Sequence, residues 1–399
     1  MTDTARGEAS RARRDYRGPA ILGVGFRPFF LGAALWSLAA LTLWIAALAG
    51  GWSLPSAFDP LTWHGHEMVF GYVAAVIAGF LLTAIPNWTG RLPVRGSMLG
   101  LLFGVWLAGR AAVAVSALIG PLAAAVIDVS FLVVFCGLVA REILVGRNWR
   151  NLPVVAIVGG LAAANLLVHL EFLDLAATAT LGLRLGIAVV LVLITLIGGR
   201  IVPSFTRNWL QKRGAGALPA PFGNVDRLAI AITLATALAW VAAPAAPVTG
   251  IAGLLAAVVH AVRLARWRGR RSLAEPLVWV LHLGYAWLVA GFALLGLSLL
   301  GLGPPPTAAL HALTAGAMGT MTLAVMTRAS LGHSGRPLTA GPGTTAIYAL
   351  LTAAALLRVA APLQGGASLA VTGLAAACWI GAFGLFVALY GPLFWTPRR

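Results

Sequence analysis

His66-Glu67-Met68-Val69-Phe70-Gly71-Tyr72-Val73-Ala74-Ala75-Val76-Ile77-Ala78-Gly79-Phe80-Leu81-Leu82-Thr83-Ala84-Ile85-Pro86 is an almost unbroken apolar run with a single acid near its start. A helix needs about 20 such residues, each rising ~1.5 Å, to cross a bilayer. Comparable runs occur at 29–50, 97–118, 121–141, 153–173, 176–197, 225–244, 247–264, 276–299, 307–327, 344–363 and 367–390. The predicted fold class is therefore all-α, a polytopic membrane protein of twelve transmembrane helices. The whole composition agrees: 60% of the 399 residues are hydrophobic and only 10% are charged, with a mean hydropathy of +0.92. That excludes a soluble domain.

The net charge of +17 is explained by topology, with no nucleic-acid partner required. Placing both termini in the cytoplasm puts every Arg and Lys except Arg110, Arg184 and Arg358 in the inner loops, the tails or the span ends facing them. This is the segregation that the positive-inside rule describes. Residues 1–28 then form a cytoplasmic N-terminal tail, 29–390 the transmembrane domain and 391–399 a cytoplasmic C-terminal tail. The Arg-rich start leads into a long span with no short apolar region or cleavage site, so it does not read as a signal peptide. Trp52, Trp63, Trp88, Trp149, Trp209 and Trp395 cluster at span ends as interfacial anchors. Cys136 and Cys378 lie inside spans without CxxC spacing and read as packing residues.

Helices two and ten share a pattern. His66 and His311 stand at the same offset before Arg91 and Arg336, and Gly71 and Gly316 at the same offset after each histidine. Arg110 and Arg358 extend the match into helices three and eleven. An offset of eight helices suits three units of four, with helix six as a middle copy that keeps Thr206-Arg207 but has no matching histidine.

Ionisable groups in a bilayer cost at least about 2.5–3.5 kcal/mol each, so each needs a partner or a purpose. The outer half holds His64, His66, Glu67, Arg110, Asp128, His169, Glu171, Arg184, His311 and Arg358. One reading is mutual neutralisation as buried ion pairs. The other is that Arg110, Arg184 and Arg358 bind an anionic ligand, for which haem propionates are suited because Arg grips carboxylates bidentately. His66 and His311 would then ligate one haem iron between helices two and ten, with Gly71 and Gly316 admitting the flat macrocycle. His64 reaches a second metal only if Trp63-His64-Gly65 is not helical. Glu67 is the candidate catalytic group, orienting a ligating histidine or carrying protons, with Asp128 and Glu171 as further proton carriers. Met318 and Met321 are soft donors that more often serve packing.

Four stretches carry a family resemblance. They are Gly25-Phe26-Arg27-Pro28-Phe29-Phe30, Trp63-His64-Gly65-His66-Glu67-Met68, the segment from Ala78 through Pro86-Asn87-Trp88-Thr89-Gly90-Arg91, and Met326-Thr327-Arg328-Ala329-Ser330-Leu331-Gly332-His333-Ser334-Gly335-Arg336. Together they resemble the NnrS family over nearly the whole chain. The resemblance implies a multi-pass protein of the bacterial inner membrane that contains haem b and copper and takes part in the nitric oxide and nitrosative stress response. The helix count and the helix two–helix ten offset are also similar to haem–copper oxidases and nitric oxide reductases, which form three four-helix arcs. Helices six and seven lack the histidines of their usual second metal site, so a standard oxidase mechanism is not expected and copper needs other ligands.

Two functions follow. In the first, a haem protein binds nitric oxide and turns it over, as a reductase drawing electrons from quinol or a periplasmic donor, or limits its damage as a sensor or assembly factor. In the second, a transporter uses an Arg-lined anion or metal site and contains no haem.

Overall fold

A computed structural model describes residues 16–50, 54–214, 216–364 and 369–398. Most of the predicted N-terminal tail, Trp52 and Arg399 lie outside them. The described residues form helices and connecting turns, with no strand among them. Twelve helices are long and apolar enough to span a membrane: α1 Phe26–Leu48, α2 Pro60–Thr89, α3 Ser97–Ala114, α4 Pro121–Val145, α5 Trp149–Phe172, α6 Ala179–Gln211, α7 Asn224–Ala242, α8 Pro247–Ala265, α9 Pro276–Leu299, α10 Pro306–His333, α11 Pro342–Leu363 and α12 Leu369–Trp395. The all-α, twelve-span prediction holds.

Proline sets many of the starts. Pro60, Pro121, Pro247, Pro276, Pro306 and Pro342 each occupy the first helical position, where the missing N–H costs no bond and φ is already helical. Three spans outrun their apolar cores: α2 has 30 residues, α6 33 and α10 28. Residues 198–211 lie beyond the apolar run 176–197 and yet continue α6. Hydropathy sees where apolar residues stop, whereas the helix persists because Val202, Thr206 and Leu210 still bury one face.

The chain divides into two compact units. The first comprises residues 1–186, 329–336 and 387–399 and the second residues 187–328 and 337–386. The first unit is built around aromatic residues: Phe29 meets Phe103 and Phe131 at 5.5 and 5.9 Å between ring centres. Trp106 stands beside Phe103 and donates to Gly71 O at 3.0 Å. In the second unit α8 and α9 approach on small residues. A Cβ at Gly253 would sit 3.2 Å from both Gly296 N and Phe292 O, so only hydrogen permits that spacing.

The repeated pattern reappears in the backbone. The α-helical turn Pro60–His66 gives way to a π-helical segment at Glu67–Val73, and Pro306–His311 does so at Ala312–Met318. Each segment begins directly after the paired histidine. A π-turn inserts a residue, re-aims the side chains before it and often marks a functional position. Helix α6 also has a π-segment, at Ile194–Gly198, far past the position that would match the other two. Its likeness to a middle copy therefore does not extend to this feature.

Asp59 caps α2, its Oδ1 accepting from Leu61 N at 3.0 Å and Thr62 N at 3.1 Å. Partial burial pushes the carboxyl upward, but hydrogen bonds from Thr62 and Leu61 outweigh this and hold it below its ordinary value. A depressed folded-state value stabilises above the ordinary carboxylate range, and that contribution is lost as pH falls through the lowered value. Asp59→Ala should cost about 1 kcal/mol. In thermal melts of the detergent-solubilised protein, the gap to the wild type should hold at neutral pH and close in strong acid.

Candidate functional site

Four helices of the first unit bring polar side chains to one buried point near the ends opposite the chain termini. Helix α2 supplies His66 and Glu67, α3 Arg110, α4 Asp128, and α5 Asn165 and His169. Asn165 and His169 are four residues apart, so they share a helix face. None of the six is more than 2% exposed.

Their bonds form one network. Glu67 Oε2 accepts from Arg110 Nη1 at 2.5 Å and from Trp36 Nε1 of α1 at 2.6 Å. Asp128 Oδ1 accepts from Arg110 Nη2. Asp128 Oδ2 accepts from Asn165 Nδ2 at 2.8 Å and His169 Nε2 at 2.9 Å. His66 Nε2 lies 2.7 Å from Asn165 Oδ1 and 3.1 Å from Asp128 Oδ2, and its Nδ1 lies 3.1 Å from Glu67 Oε1. Asn165 is oriented by its bond to Asp128, so its oxygen faces His66. Both nitrogens of His66 then face acceptors, which places a proton on each. Two carboxylates balance one guanidinium and one imidazolium, and the cluster is neutral as a whole.

The predicted site residues fall into different settings. Arg110, expected at a propionate, is engaged by Glu67 and Asp128. A Cβ at Gly71 would lie 2.7 Å from Glu67 Oε2, 2.8 Å from Trp36 Nε1 and 2.9 Å from Arg110 Nη1. The missing side chain therefore makes room for this ion pair. His66 would have to surrender a hydrogen bond to ligate iron, and the Phe58 and Phe70 rings flank it with centres at 5.2 and 5.1 Å. In this arrangement it does not fit as a haem ligand. Glu67 is enclosed by its three donors. His64 is helical and stacks on Trp44 at 4.1 Å between ring centres, so the non-helical turn that would carry it to a second metal is not formed. Arg184 is half-buried and makes no hydrogen bond or ion pair among the described residues.

His66, Asp128 and His169 offer two imidazole nitrogens and a carboxylate oxygen within 4.8 Å of one another, the one such group among the described residues. That donor set would suit copper(II). The sequence marks His169 as an ionisable outer-half group without giving it a role, and Asn165, uncharged, draws no notice there. The signal available was their four-residue spacing on α5 at the depth of Asp128.

His311, Gly316 and Arg358 belong to the second unit. His311 Nδ1 donates to Thr307 O at 2.7 Å, which leaves Nε2 as the nitrogen with a lone pair, without a hydrogen-bond partner among the described residues. Arg358 is near enough to interact electrostatically with His311 and makes no hydrogen bond or ion pair among those residues. The Trp287 indole packs where a Gly316 side chain would stand, at 2.6 Å from such a Cβ. Its Nε1 is buried with no acceptor. A histidine with its tautomer set by a backbone carbonyl is the usual form of a metal ligand. With an orphaned indole N–H and the Arg358 cation in the same unit, these residues are of the kind that could hold a haem, the imidazole for its iron and the guanidinium for a propionate.

The family model described as NnrS protein matches residues 20–398, and the chain belongs to that family. No protein with a curated description matches it.

Charge balance in the first unit can be tested. Asp128→Asn or Glu67→Gln alone leaves an uncompensated buried cation and should cost about 3–5 kcal/mol. The double variant His66→Gln/Glu67→Gln removes one charge of each sign. It should melt above Glu67→Gln alone in detergent, whereas a double variant no more stable than the single would mean that His66 carries no charge.

Proposed function

From membership of the NnrS family, we propose that this multi-pass membrane protein of the nitric oxide response carries haem b, binds nitric oxide at it and turns it over by reduction in the bacterial inner membrane. The observation that carries the reading is His311. Its Nδ1–H is committed to Thr307 O, its Nε2 is presented without a protein partner, and Arg358 stands beside it without a counter-charge. His311 would hold the iron and Arg358 a propionate. Bound ferrous haem supplies an iron centre able to bind a diatomic gas.

Reduction of nitric oxide consumes protons as well as electrons, the latter drawn from quinol or a periplasmic donor. The chain's own store is the network around His66. Protons sit on His66 Nε2 and His169 Nε2 against Asp128, and Glu67 holds His66 from the other side. Asp128 accepts from His169 Nε2 and lies 3.1 Å from His66 Nε2 as its ion-pair partner, so it is the group through which a proton at one ring is felt at the other. Copper, if the family's second metal is carried, would exchange for these protons at His66, Asp128 and His169.

The purified protein should show a Soret band that His311→Ala abolishes. Asp128→Asn should keep the band and slow nitric oxide consumption, followed with an electrode, by about a hundredfold or more, the usual contribution of a positioned acid–base group. The second reading is a haem-free transporter with an Arg-lined anion or metal site, favoured by Arg358, which makes no hydrogen bond or ion pair among the described residues. A colourless protein that retains no haem on reconstitution would overturn the haem reading in its favour.

A further inference from the structure

The second unit encloses a polar cluster that the proposed function leaves unused. Helix α8 contributes His260 and Arg263, α9 Tyr285, α7 Asp226 and Thr233, and α6 Thr195. None of the six is more than 3% exposed, and His260 and Tyr285 are fully buried.

The hydrogen bonds fix where the protons sit. Thr233 Oγ1 donates to Ala229 O at 2.7 Å, so its one proton is spent. It must therefore accept from His260 Nε2, which lies 2.8 Å away. A second proton on the ring would set an imidazolium against the Arg263 guanidinium, whose acid partner Asp226 is already engaged, so the imidazole is neutral. With a proton on Nε2, its lone pair is on Nδ1. The Tyr285 hydroxyl stands 2.6 Å from that nitrogen. Arg263 Nη1 donates to the same hydroxyl oxygen at 2.9 Å, which turns the phenolic proton toward the imidazole. Arg263 is itself held in place. Its Nε donates to Asp226 Oδ1 at 2.8 Å and its Nη1 also to Thr195 O at 2.9 Å, while Nη2 lies against Gly199, where a side chain would collide. The cluster thus fixes a phenol, its proton and a base in one line.

We propose that Tyr285 and His260 form a proton-coupled redox pair, in which Tyr285 gives one electron to nitrogen dioxide dissolved in the membrane as its phenolic proton passes to His260 Nδ1. The O–H bond of Tyr285 breaks and an N–H bond forms on His260. The electron converts nitrogen dioxide to nitrite, and a neutral phenoxyl radical stays beside an imidazolium. Nitrogen dioxide is a neutral radical oxidant that arises where nitric oxide meets oxygen, and a small uncharged gas enters a bilayer freely. That choice of oxidant rests on the nitric oxide response of the family, whereas the pair itself rests on the geometry. Without a base, oxidation would leave a radical cation on the phenol in a medium that penalises charge. A base within hydrogen-bond reach takes the proton in the same step. Asp226 provides the negative charge nearest the new imidazolium, through Arg263. The enclosure of Tyr285 shields the radical from recombination.

The test uses the full-length protein in detergent. Nitrogen dioxide is generated by pulse radiolysis of nitrite, the radical is followed optically, and freeze-quenched samples are read by electron paramagnetic resonance. A tyrosyl signal is expected that Tyr285→Phe abolishes and Tyr348→Phe, at the hydroxyl paired with Thr327, leaves in place. His260→Asn keeps an acceptor near the phenol but no base, and should slow formation of the radical by about a hundredfold or more. Wild-type protein carrying isotopically labelled histidine reports the same contact without a variant, through a histidine nitrogen coupling in the radical signal. No tyrosyl signal in the wild type, a signal that survives Tyr285→Phe, an unchanged rate in folded His260→Asn, or no histidine coupling overturns the proposal. The readout is independent of haem, so a colourless protein that still forms the Tyr285 radical would overturn the haem reading alone.

Discussion

A charge placed inside a bilayer has no water to stabilise it, so it survives only with an opposite charge or a ligand beside it. The first unit is organised by that requirement. Arg110 binds Glu67 and Asp128, His66 lies between the same two acids, and Trp36, Asn165 and His169 take up the remaining acceptor sites. Five helices, α1 to α5, are thereby tied to one buried point, and a slip of any one would leave a charge or a donor unpaired. The second unit answers the same requirement separately. Arg263 donates to Asp226, to Thr195 O and to the Tyr285 hydroxyl, while His260 lies between Tyr285 and Thr233. Each of these groups has polar partners within its own unit, which is how polar networks specify an arrangement of otherwise featureless apolar helices.

Sequence reading recovers what depends on composition along the chain and loses what depends on packing across it. The twelve spans are legible because bilayer thickness sets a length scale that hydropathy measures directly. The extension of α6 to Gln211 is not, because a polar helix continues wherever one face finds cover. Arg110, Asp128 and Glu67 are legible as a set, and pairing among them was one of two open readings; nothing in the spacing decides between it and a ligand. Only the distances do. Gly71 shows the same limit. A glycine one turn from a histidine suggests room for a flat group, but which neighbour takes that room is a fact about α1 and α3. His169 and Asn165 share a face of α5, yet their relevance appears only once that face turns toward Asp128.

The His66–His311 repeat survives in the backbone more faithfully than in the side chains. Both histidines end a short α-helical segment and precede a seven-residue π-segment. A feature of that kind is expensive to keep unless it aims something. The chemistry it aims has diverged, and a single following position shows how. Glu67 follows His66 and holds its Nδ1, whereas Ala312 follows His311, whose Nδ1 turns instead to the carbonyl of Thr307.

The same divergence explains the two matched arginines. In the first copy Arg110 meets an acid from α2 and another from α4. The helices that correspond in the second copy, α10 and α12, contain no aspartate or glutamate anywhere along Pro306–His333 or Leu369–Trp395. Arg358 therefore retains the position of Arg110 without either of its counter-ions. A repeat that kept the cation while losing both acids would be a liability in a bilayer unless another anion takes their place. The lone pair of His311 Nε2 is left free by the same change, since α12 brings no counterpart of Asp128, which lies 3.1 Å from His66 Nε2 in the first copy. One copy is thus closed upon itself, with charges balanced and both imidazole nitrogens engaged. The other presents, among the described residues, an imidazole nitrogen without a hydrogen-bond partner and a cation without an ion pair, the combination proposed above to hold a metal centre with carboxylate side arms.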